Sequence, residues 1–199
     1  MNGYSDRLNH ALAFAAKHHD QQVRKGTRLP YVTHAANVAL ILARYDCDET
    51  TVAAGILHDV IEDCVRDGWT RAMLEARIAD KFGDDVLSAV LTVTKRRLDE
   101  FGNEMDRDER NADYLMRLAT ADDRARWVCA ADKLHNGSAT LADLRRTMDP
   151  GSVWGRLTGG RGETVSWYRA VYDRLAASGF IAPIMRELLE TVEQLEAAS

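Results

Sequence analysis

The 199-residue chain has few cysteines, few prolines and no long apolar run. Its three cysteines, Cys47, Cys64 and Cys129, are odd in number and far apart, which argues against a disulfide framework and predicts a reducing, cytoplasmic setting. No segment approaches the roughly 18 consecutive apolar residues of a membrane-spanning helix. The first residues lack the basic and apolar regions of a secretory signal, so we predict no association with a membrane.

An excess of basic residues is also absent. The chain has 26 Lys and Arg residues against 31 Asp and Glu residues, a formal net charge of −5. This balance argues against a nucleic-acid-binding protein, because such proteins usually carry a basic footprint. It remains compatible with a small phosphorylated ligand held by a few local cations. The hydrophobic content of 46% is sufficient for one substantial core in a chain of this length.

Apolar residues recur with the period of a helix along most of the chain, and no strand of alternating polarity is evident. We therefore predict an all-α fold, a single-domain helical bundle over residues 1–199. The predicted helices follow caps at Thr33, Asp48, Thr70 and Asp122, and two last helices over 163–177 and 182–197 complete the bundle. Loops are predicted over 21–31, 95–110 and 147–162, and the second of these is a candidate lid.

The helix predicted after Asp48 is apolar around its middle and yet carries four titratable residues: His58, Asp59, Glu62 and Asp63. Burying charge without a partner is costly, so these groups need each other, a metal ion or solvent. On a continuous helix Glu62 lies one turn beyond both His58 and Asp59, which makes the three side chains neighbours.

Two more residues are candidates to complete such a site. His34 stands near the start of the second predicted helix, and Asp132 interrupts an apolar stripe. Two imidazoles and two carboxylates suit a first-row divalent ion, which can generate hydroxide near neutral pH. Glu62 or Asp63, left free of the metal, could then position the water or move its proton. Each residue alone also fits an ordinary structural role, and only their combination points to a site.

Histidine, then a His-Asp pair, then a distant Asp is the pattern of the HD phosphohydrolase superfamily, which this sequence resembles. The neighbouring motifs are similar to those of the hydrolase domain of RelA/SpoT-type alarmone enzymes. They occur in the family's order: Arg-Lys-Gly at 24–26, Pro-Tyr-Val-Thr-His at 30–34, Leu-His-Asp-Val-Ile-Glu-Asp at 57–63, Val-Thr-Lys at 93–95 and Ala-Asp-Lys-Leu-His-Asn at 131–136.

The resemblance implies a metal-dependent pyrophosphohydrolase that uses Mn²⁺ and removes the 3′-pyrophosphate from a small nucleotide, (p)ppGpp or a relative. It implies the metal ligands His34, His58, Asp59 and Asp132, and it implies that Glu62 and Asp63 activate water. It also implies that the nucleotide is contacted by Arg24, Lys25 and Asn136. No glycine-rich phosphate loop of the G-x-x-x-x-G-K-[ST] type occurs, so we expect a stand-alone hydrolase without synthetic activity.

The chain also departs from the family pattern. Ala35 follows the first histidine where proline is usual, and residues 137–139 differ from the usual base-contacting stretch, which leaves guanine and adenine alarmones both open. Arg161 and Tyr168 are further candidates to line the site, Arg161 as a substrate-binding residue. The aromatic side chains of Trp127, Trp167 and Tyr172 are predicted to pack in the core.

Other functions remain open as alternatives. One is an HD-type nucleotide phosphomonoesterase, including a 2′- or 3′-phosphatase acting on a dinucleotide, which would release orthophosphate instead of pyrophosphate. Another is a non-catalytic nucleotide-sensing domain, which would have no need of both the metal set and the Glu62–Asp63 pair. The sequence leaves the physiological metal and the formation of a homo-oligomer undecided.

Overall fold

A computed structural model of the chain describes residues 4–66 and 68–198. These residues contain eleven helices and no strand. The first six helices are α1 (Asp6–His18), α2 (Val32–Arg44), α3 (Glu49–Leu57), α4 (Val60–Asp63), α5 (Arg71–Phe82) and α6 (Asp84–Val93). The other five are α7 (Arg107–Ala119), α8 (Asp123–Arg146), α9 (Pro150–Trp154), α10 (Gly160–Ala177) and α11 (Ile184–Ala197). The all-α prediction is confirmed.

Several helices begin where a polar side chain accepts a backbone N–H of the first turn. The capping residues are Ser5, Asp48, Thr70, Asp106 and Asp122. Each such cap contributes about 1 kcal/mol by satisfying a donor that has no partner inside the helix. The predicted helix starts after Asp48, Thr70 and Asp122 are therefore confirmed. The predicted cap at Thr33 is wrong, because α2 already begins at Val32 and the Thr33 hydroxyl donates to Pro30 O instead.

Helix α3 lies at the centre of the bundle and packs against α1, α2, α6 and α8. Its residues from Thr51 to Leu57 are all buried. Gly55 allows the close approach of α2, since a Cβ atom there would lie 2.4 Å from Leu42 Cδ1. The absence of a side chain at this position thus brings the end of α3 next to the helix that carries His34.

The predicted continuous helix through His58 and Asp59 is wrong. Helix α3 ends at Leu57, and α4 starts at Val60. The imidazole of His58 donates from Nδ1 to Gly55 O at 2.8 Å, which is the oxygen that the Asp59 N–H would use in an uninterrupted helix. A side-chain donor that competes for a helix carbonyl explains the break.

Two predicted loops contain helical residues. Residues 107–110 of the loop predicted over 95–110 belong to α7, which starts with a capping box formed by Asp106 and Glu109. The loop predicted over 147–162 contains α9, which has Pro150 in its first turn, and the start of α10.

Among the described residues no helix combines the length and apolarity needed to cross a membrane. The three cysteines are free and buried.

Candidate active site

Four side chains predicted as metal ligands meet beside α3. His34 lies in the first turn of α2, His58 and Asp59 lie at the break between α3 and α4, and Asp132 lies in α8. His34 Nε2 is 3.3 Å from His58 Nε2, 3.4 Å from Asp59 Oδ2 and 3.1 Å from Asp132 Oδ1. His58 Nε2 is 3.0 Å from Asp59 Oδ2 and 3.6 Å from Asp132 Oδ1. The ligand atoms of His34, His58 and Asp59 therefore all lie within 4.8 Å of one another, and Asp132 Oδ1 approaches the two imidazole nitrogens of this group.

The outward-facing nitrogen of each imidazole has its own partner. His58 donates from Nδ1 to Gly55 O, and His34 Nδ1 lies 2.7 Å from His135 Nδ1. Such hydrogen bonds fix the tautomer and leave the Nε2 lone pair directed at the cluster. Both rings are almost fully buried, with His34 at 0% and His58 at 4% exposure.

The two carboxylates are also held from outside the cluster. Asp59 Oδ2 accepts from the Tyr31 hydroxyl at 2.5 Å. Asp132 Oδ1 accepts from Asn136 Nδ2 at 2.6 Å, and its Oδ2 accepts from Lys133 Nζ at 2.5 Å. Burial opposes ionisation of Asp132, but the Lys133 ammonium together with His34 and His58 outweighs it and holds the pKa of this carboxyl well below its usual range. These contacts fix the direction in which each carboxylate points.

The carboxylates of the cluster favour positive charge beside them. Burial lowers the pKa of His58, but the adjacent Asp59 and Asp132 outweigh this and raise it well above its usual value. Burial likewise opposes ionisation of Asp59, but His58 and His34 together outweigh it and hold the pKa of Asp59 well below its usual value. Separations of 3.0–3.6 Å between donor atoms match a shared ion whose bonds are about 2.0–2.2 Å long. The residues present therefore fit a divalent metal ion.

Glu62 and Asp63 stand on the short helix α4, and each is held by a different segment. Glu62 Oε2 accepts from the backbone N–H of Lys95 at 2.7 Å, and Asp63 Oδ2 accepts from Gln22 Nε2 at 2.8 Å. Burial, and then the negative charge of Asp59, raise the pKa of Glu62 to about 7. A carboxyl with this pKa can both accept and return a proton near neutral pH.

A cavity of about 230 Å³ opens beside the cluster, and Glu62, Lys95, Lys133 and Trp167 lie in its wall. Lys95 Nζ lies 4.1 Å from the centre of the Trp167 ring and donates to Asn111 Oδ1 at 2.8 Å. Burial, and then the charge of Lys133, lower the pKa of Lys95 to about 8. Two ammonium groups thus face the same cavity as the carboxylates, an arrangement suited to a phosphate-bearing ligand.

Sequence reasoning assigned no role to Lys95, Lys133 or Tyr31. Each stands inside one of the motifs that resemble the hydrolase family. Their presence in these motifs was the only feature of the sequence that pointed to a role. The spacing of the motifs along the chain does not show that the three residues lie close together in the fold.

Two residues predicted to bind the nucleotide contact each other. Arg24 Nη2 donates to Asn136 Oδ1 at 2.7 Å across 112 positions of sequence. The Arg24 guanidinium also lies 5.8 Å from the centre of the Tyr31 ring. Because Asn136 in turn donates to Asp132, this hydrogen-bonded chain connects the loop before α2 to the metal cluster. Lys25 is exposed in the same loop.

Arg161 is not brought to this cavity, which corrects the prediction that it lines the site. Its guanidinium donates to Glu196 O and Ala198 O, at the end of α11, because Arg161 lies in the first turn of α10 on the side that faces this end. Tyr168 is buried in a small apolar cluster with Leu141 and Trp154. The neighbouring Trp167 packs against the core, as predicted, and also lines the cavity.

Comparison with known proteins adds to this geometry. A family model described as HD domain matches residues 11–148. The chain is 33% identical over 174 residues to guanosine-3′,5′-bis(diphosphate) 3′-pyrophosphohydrolase MESH1 of Drosophila melanogaster, covering 86% of each chain. An Aquifex aeolicus enzyme of the same descriptive name is 34% identical over 134 residues, but the match spans only 18% of that longer protein.

Solved structures agree with the sequence matches. A metazoan orthologue of SpoT that hydrolyses ppGpp superposes with a TM-score of 0.73 at 30% identity, over 96% of both chains. A Listeria monocytogenes protein superposes with a TM-score of 0.67 at 26% identity, over 81% of this chain and 97% of that one. The metal-ligand pattern, the all-helical fold and the family match agree, and the chain belongs to the HD domain family.

Proposed function

We propose that this protein is a metal-dependent pyrophosphohydrolase that removes the 3′-pyrophosphate from (p)ppGpp or a related alarmone nucleotide. The observation that carries the proposal is the meeting of three sets of side chains in one cavity. Three of the four proposed ligands (His58, Asp59 and Asp132), an acidic side chain with a pKa of about 7 and two lysines all border it, and His34 lies behind them. The relatives that match the chain over most of their length, the Drosophila enzyme and the metazoan SpoT orthologue, act on this substrate class.

The metal ion in this proposal is Mn²⁺, held by His34, His58, Asp59 and Asp132. When bound, it would supply Lewis acidity at the scissile phosphate and lower the pKa of water. The donor set supports the class of ion, since two imidazoles and two carboxylates favour first-row divalent ions over Mg²⁺ or Ca²⁺, and the choice of Mn²⁺ follows the resemblance to alarmone hydrolases.

In this proposal, other side chains of the protein transfer the proton and bind the substrate. Glu62 accepts a proton from the attacking water, because its pKa lies near neutrality and it borders the cavity. Asp63, the next residue, is oriented by Gln22, and we assign it a share in positioning the attacking water. Lys95 and Lys133 neutralise the diphosphate, while Arg24, Lys25 and Asn136 hold the nucleoside. Arg24 can stack its planar guanidinium on a base, and Lys25 offers a point charge for phosphate.

The setting of this activity is also part of the proposal. We infer a reducing, cytoplasmic environment, which the three free and buried cysteines support. The partner is the small nucleotide itself, and we propose no nucleic-acid or membrane partner. The oligomeric state does not enter the mechanism, because every residue it uses lies within one chain.

Product analysis tests the function. The Mn²⁺-loaded protein is incubated with guanosine and adenosine 3′,5′-bis(diphosphates), and the products are separated by ion chromatography. Pyrophosphate with the matching 5′-diphosphate supports the proposal, whereas orthophosphate alone indicates a phosphomonoesterase. Nucleotide binding without turnover indicates a sensor. Asp59→Asn should abolish product, and His10→Ala, at an exposed histidine of α1, should not change it.

A further inference from the structure

The C-terminus of α6 is capped by a residue from the next helix. Arg117 of α7 donates from Nη1 to Leu91 O at 3.1 Å and also to Thr92 O, and from Nη2 to Thr94 O at 2.9 Å. Its Nε donates to Asp113 Oδ2 at 2.9 Å, and both side chains are largely buried, at 13% and 14% exposure. One guanidinium therefore satisfies three carbonyls that a helix end would leave without partners.

The last of these carbonyls has a special position. Thr94 O and the Lys95 N–H belong to the same peptide group, which is planar, with its oxygen and its hydrogen pointing in opposite directions. Arg117 binds the oxygen at 2.9 Å, and Glu62 Oε2 accepts from the N–H at 2.7 Å. A buried cation and the carboxylate of Glu62 therefore hold opposite ends of one peptide group.

We propose that Arg117 is a positioning residue for Glu62, acting through the peptide group between Thr94 and Lys95. The proposal rests on the proposed function only in that it assigns Glu62 to the reaction. The planar guanidinium, which binds several carbonyls at once, fixes the orientation of the peptide plane. Its positive charge polarises the peptide, and this strengthens the hydrogen bond from the Lys95 N–H to Glu62. Arg117 touches neither the cavity nor the metal ligands.

Glu62 needs such a contact because its surroundings are mixed in charge. Asp59 and Asp63 disfavour its ionised form from the same short segment, whereas Lys133 of α8 and the Lys95 N–H favour it. The N–H is a donor fixed by the backbone, so its direction depends on what holds the peptide. Arg117 also fixes the segment that carries the Lys95 ammonium to its place over Trp167.

A purely structural role is the competing explanation, and the chain offers a matched control for it. Arg126 of α8 donates from Nη2 to Ala119 O at 3.3 Å, at the end of α7, and pairs with Asp123 at 3.1 Å. It is buried to a similar degree, with 15% of its side chain exposed, but the segment it caps leads to residues 120–122 and not to the cavity. Loss of a helix cap alone should lower the stability of both variants and leave the titration of Glu62 unchanged in both.

Arg117→Lys keeps the positive charge but replaces the planar guanidinium, with its several N–H donors, by a single ammonium group. Arg126→Lys is its control. We expect Arg117→Lys to lower kcat about 3- to 10-fold, the range of one weakened hydrogen bond, with KM and bound metal unchanged. The acid limb of the kcat/KM profile should move to higher pH, because a weaker donor stabilises ionised Glu62 less. In a Glu62→Gln background the same substitution should have no further effect on kcat. Arg126→Lys should change none of these quantities.

A second variant tests the same contact without substituting Arg117, so its result does not depend on whether Arg117→Lys disturbs the fold. Replacing the Thr94–Lys95 amide with an ester removes the N–H and keeps the Arg117 side chain, although the ester oxygen accepts more weakly from it, and the replacement should reproduce the pH shift. Carbon NMR of the Glu62 carboxyl in the metal-free protein measures that shift without any turnover, so the result stands even if the proposed reaction is wrong. An unchanged Glu62 titration in both the ester and Arg117→Lys, or equal kcat losses with and without Glu62, would overturn the proposal.

Discussion

His34 and His135 face each other through their Nδ1 atoms at 2.7 Å, although 101 positions of sequence separate them. Burial, and then the charge of His34, lower the pKa of His135 to about 4, so His135 is neutral near pH 7 and its Nδ1 can accept. A His34 that binds a metal ion through Nε2 carries its proton on Nδ1 and donates it to His135. His135 is thus an outer partner of a predicted ligand.

Substitution of His135 should weaken the metal site without removing a ligand. We expect His135→Ala to reduce Mn²⁺ affinity about 10- to 100-fold, the usual cost of losing the outer partner of a metal-bound histidine. Isothermal titration with Mn²⁺ measures the affinity, and His10→Ala serves as the control. An unchanged affinity would show that the His34 ring is oriented by packing alone.

Glu62→Gln should separate metal binding from chemistry. The amide keeps the shape of the side chain but cannot accept the proton of water. We expect bound metal and KM to stay the same while kcat falls about 10²- to 10⁴-fold, the range of general acid–base catalysis. Elemental analysis together with single-turnover kinetics checks this. Loss of the metal would instead make Glu62 a ligand.

The raised pKa of Glu62 also predicts how stability changes with pH in the metal-free protein. Its pKa in the folded chain is about 7 against an ordinary value of 4.5, so the folded state binds this proton more tightly than the unfolded state does. The free energy of unfolding therefore decreases as pH rises from about 4.5 to 7 and stays lower above that range.

Glu62→Gln should remove this decrease. Because the side chain is only partly buried, we expect the variant to gain about 1–2 kcal/mol over the wild type at pH 8 and nothing at pH 4, less than the full 1.36 kcal/mol per pKa unit. Urea denaturation in the presence of a chelator measures both values. The exposed Glu100→Gln is the control. Equal gains at both pH values would attribute the effect to something other than ionisation.

The helical pattern predicted most of the fold because it depends on local periodicity and capping. Asp48, Thr70 and Asp122 each stand before an apolar stripe and do cap a helix. The start of α7 was predictable by the same rule, since Asp106 and Glu109 have the spacing of a capping box, but the density of charge around them favoured a loop. The charge-rich composition of this segment is typical of a loop, but the capping box correctly indicates the start of a helix.

The site was harder to predict from the sequence than the fold. The four ligands could be listed from the pattern they share with the family, but the break at His58 could not be predicted, because it depends on a side chain that competes for Gly55 O. The contact between Arg24 and Asn136 and the capping of α6 by Arg117 join segments that are distant in sequence. Helical periodicity does not indicate such contacts. The first leads through Asn136 to the proposed ligand Asp132, and the second holds the peptide group that binds Glu62.

The contact between Arg24 and Asn136 leads to the last prediction. Arg24 reaches the cluster indirectly, through Asn136, which donates to Asp132, and through Tyr31, which donates to Asp59, so we place it away from the scissile phosphate. A contact made equally in the ground and transition states affects KM and not kcat. We expect Arg24→Ala to raise KM about 10- to 100-fold, the value of a hydrogen bond to a charged group, with kcat changed less than about threefold. Steady-state kinetics on ppGpp measures both, and Arg28→Ala, an exposed arginine of the same loop, is the control. If kcat falls while KM stays constant, Arg24 contacts the reacting group, and the orientation of the nucleotide proposed here is reversed.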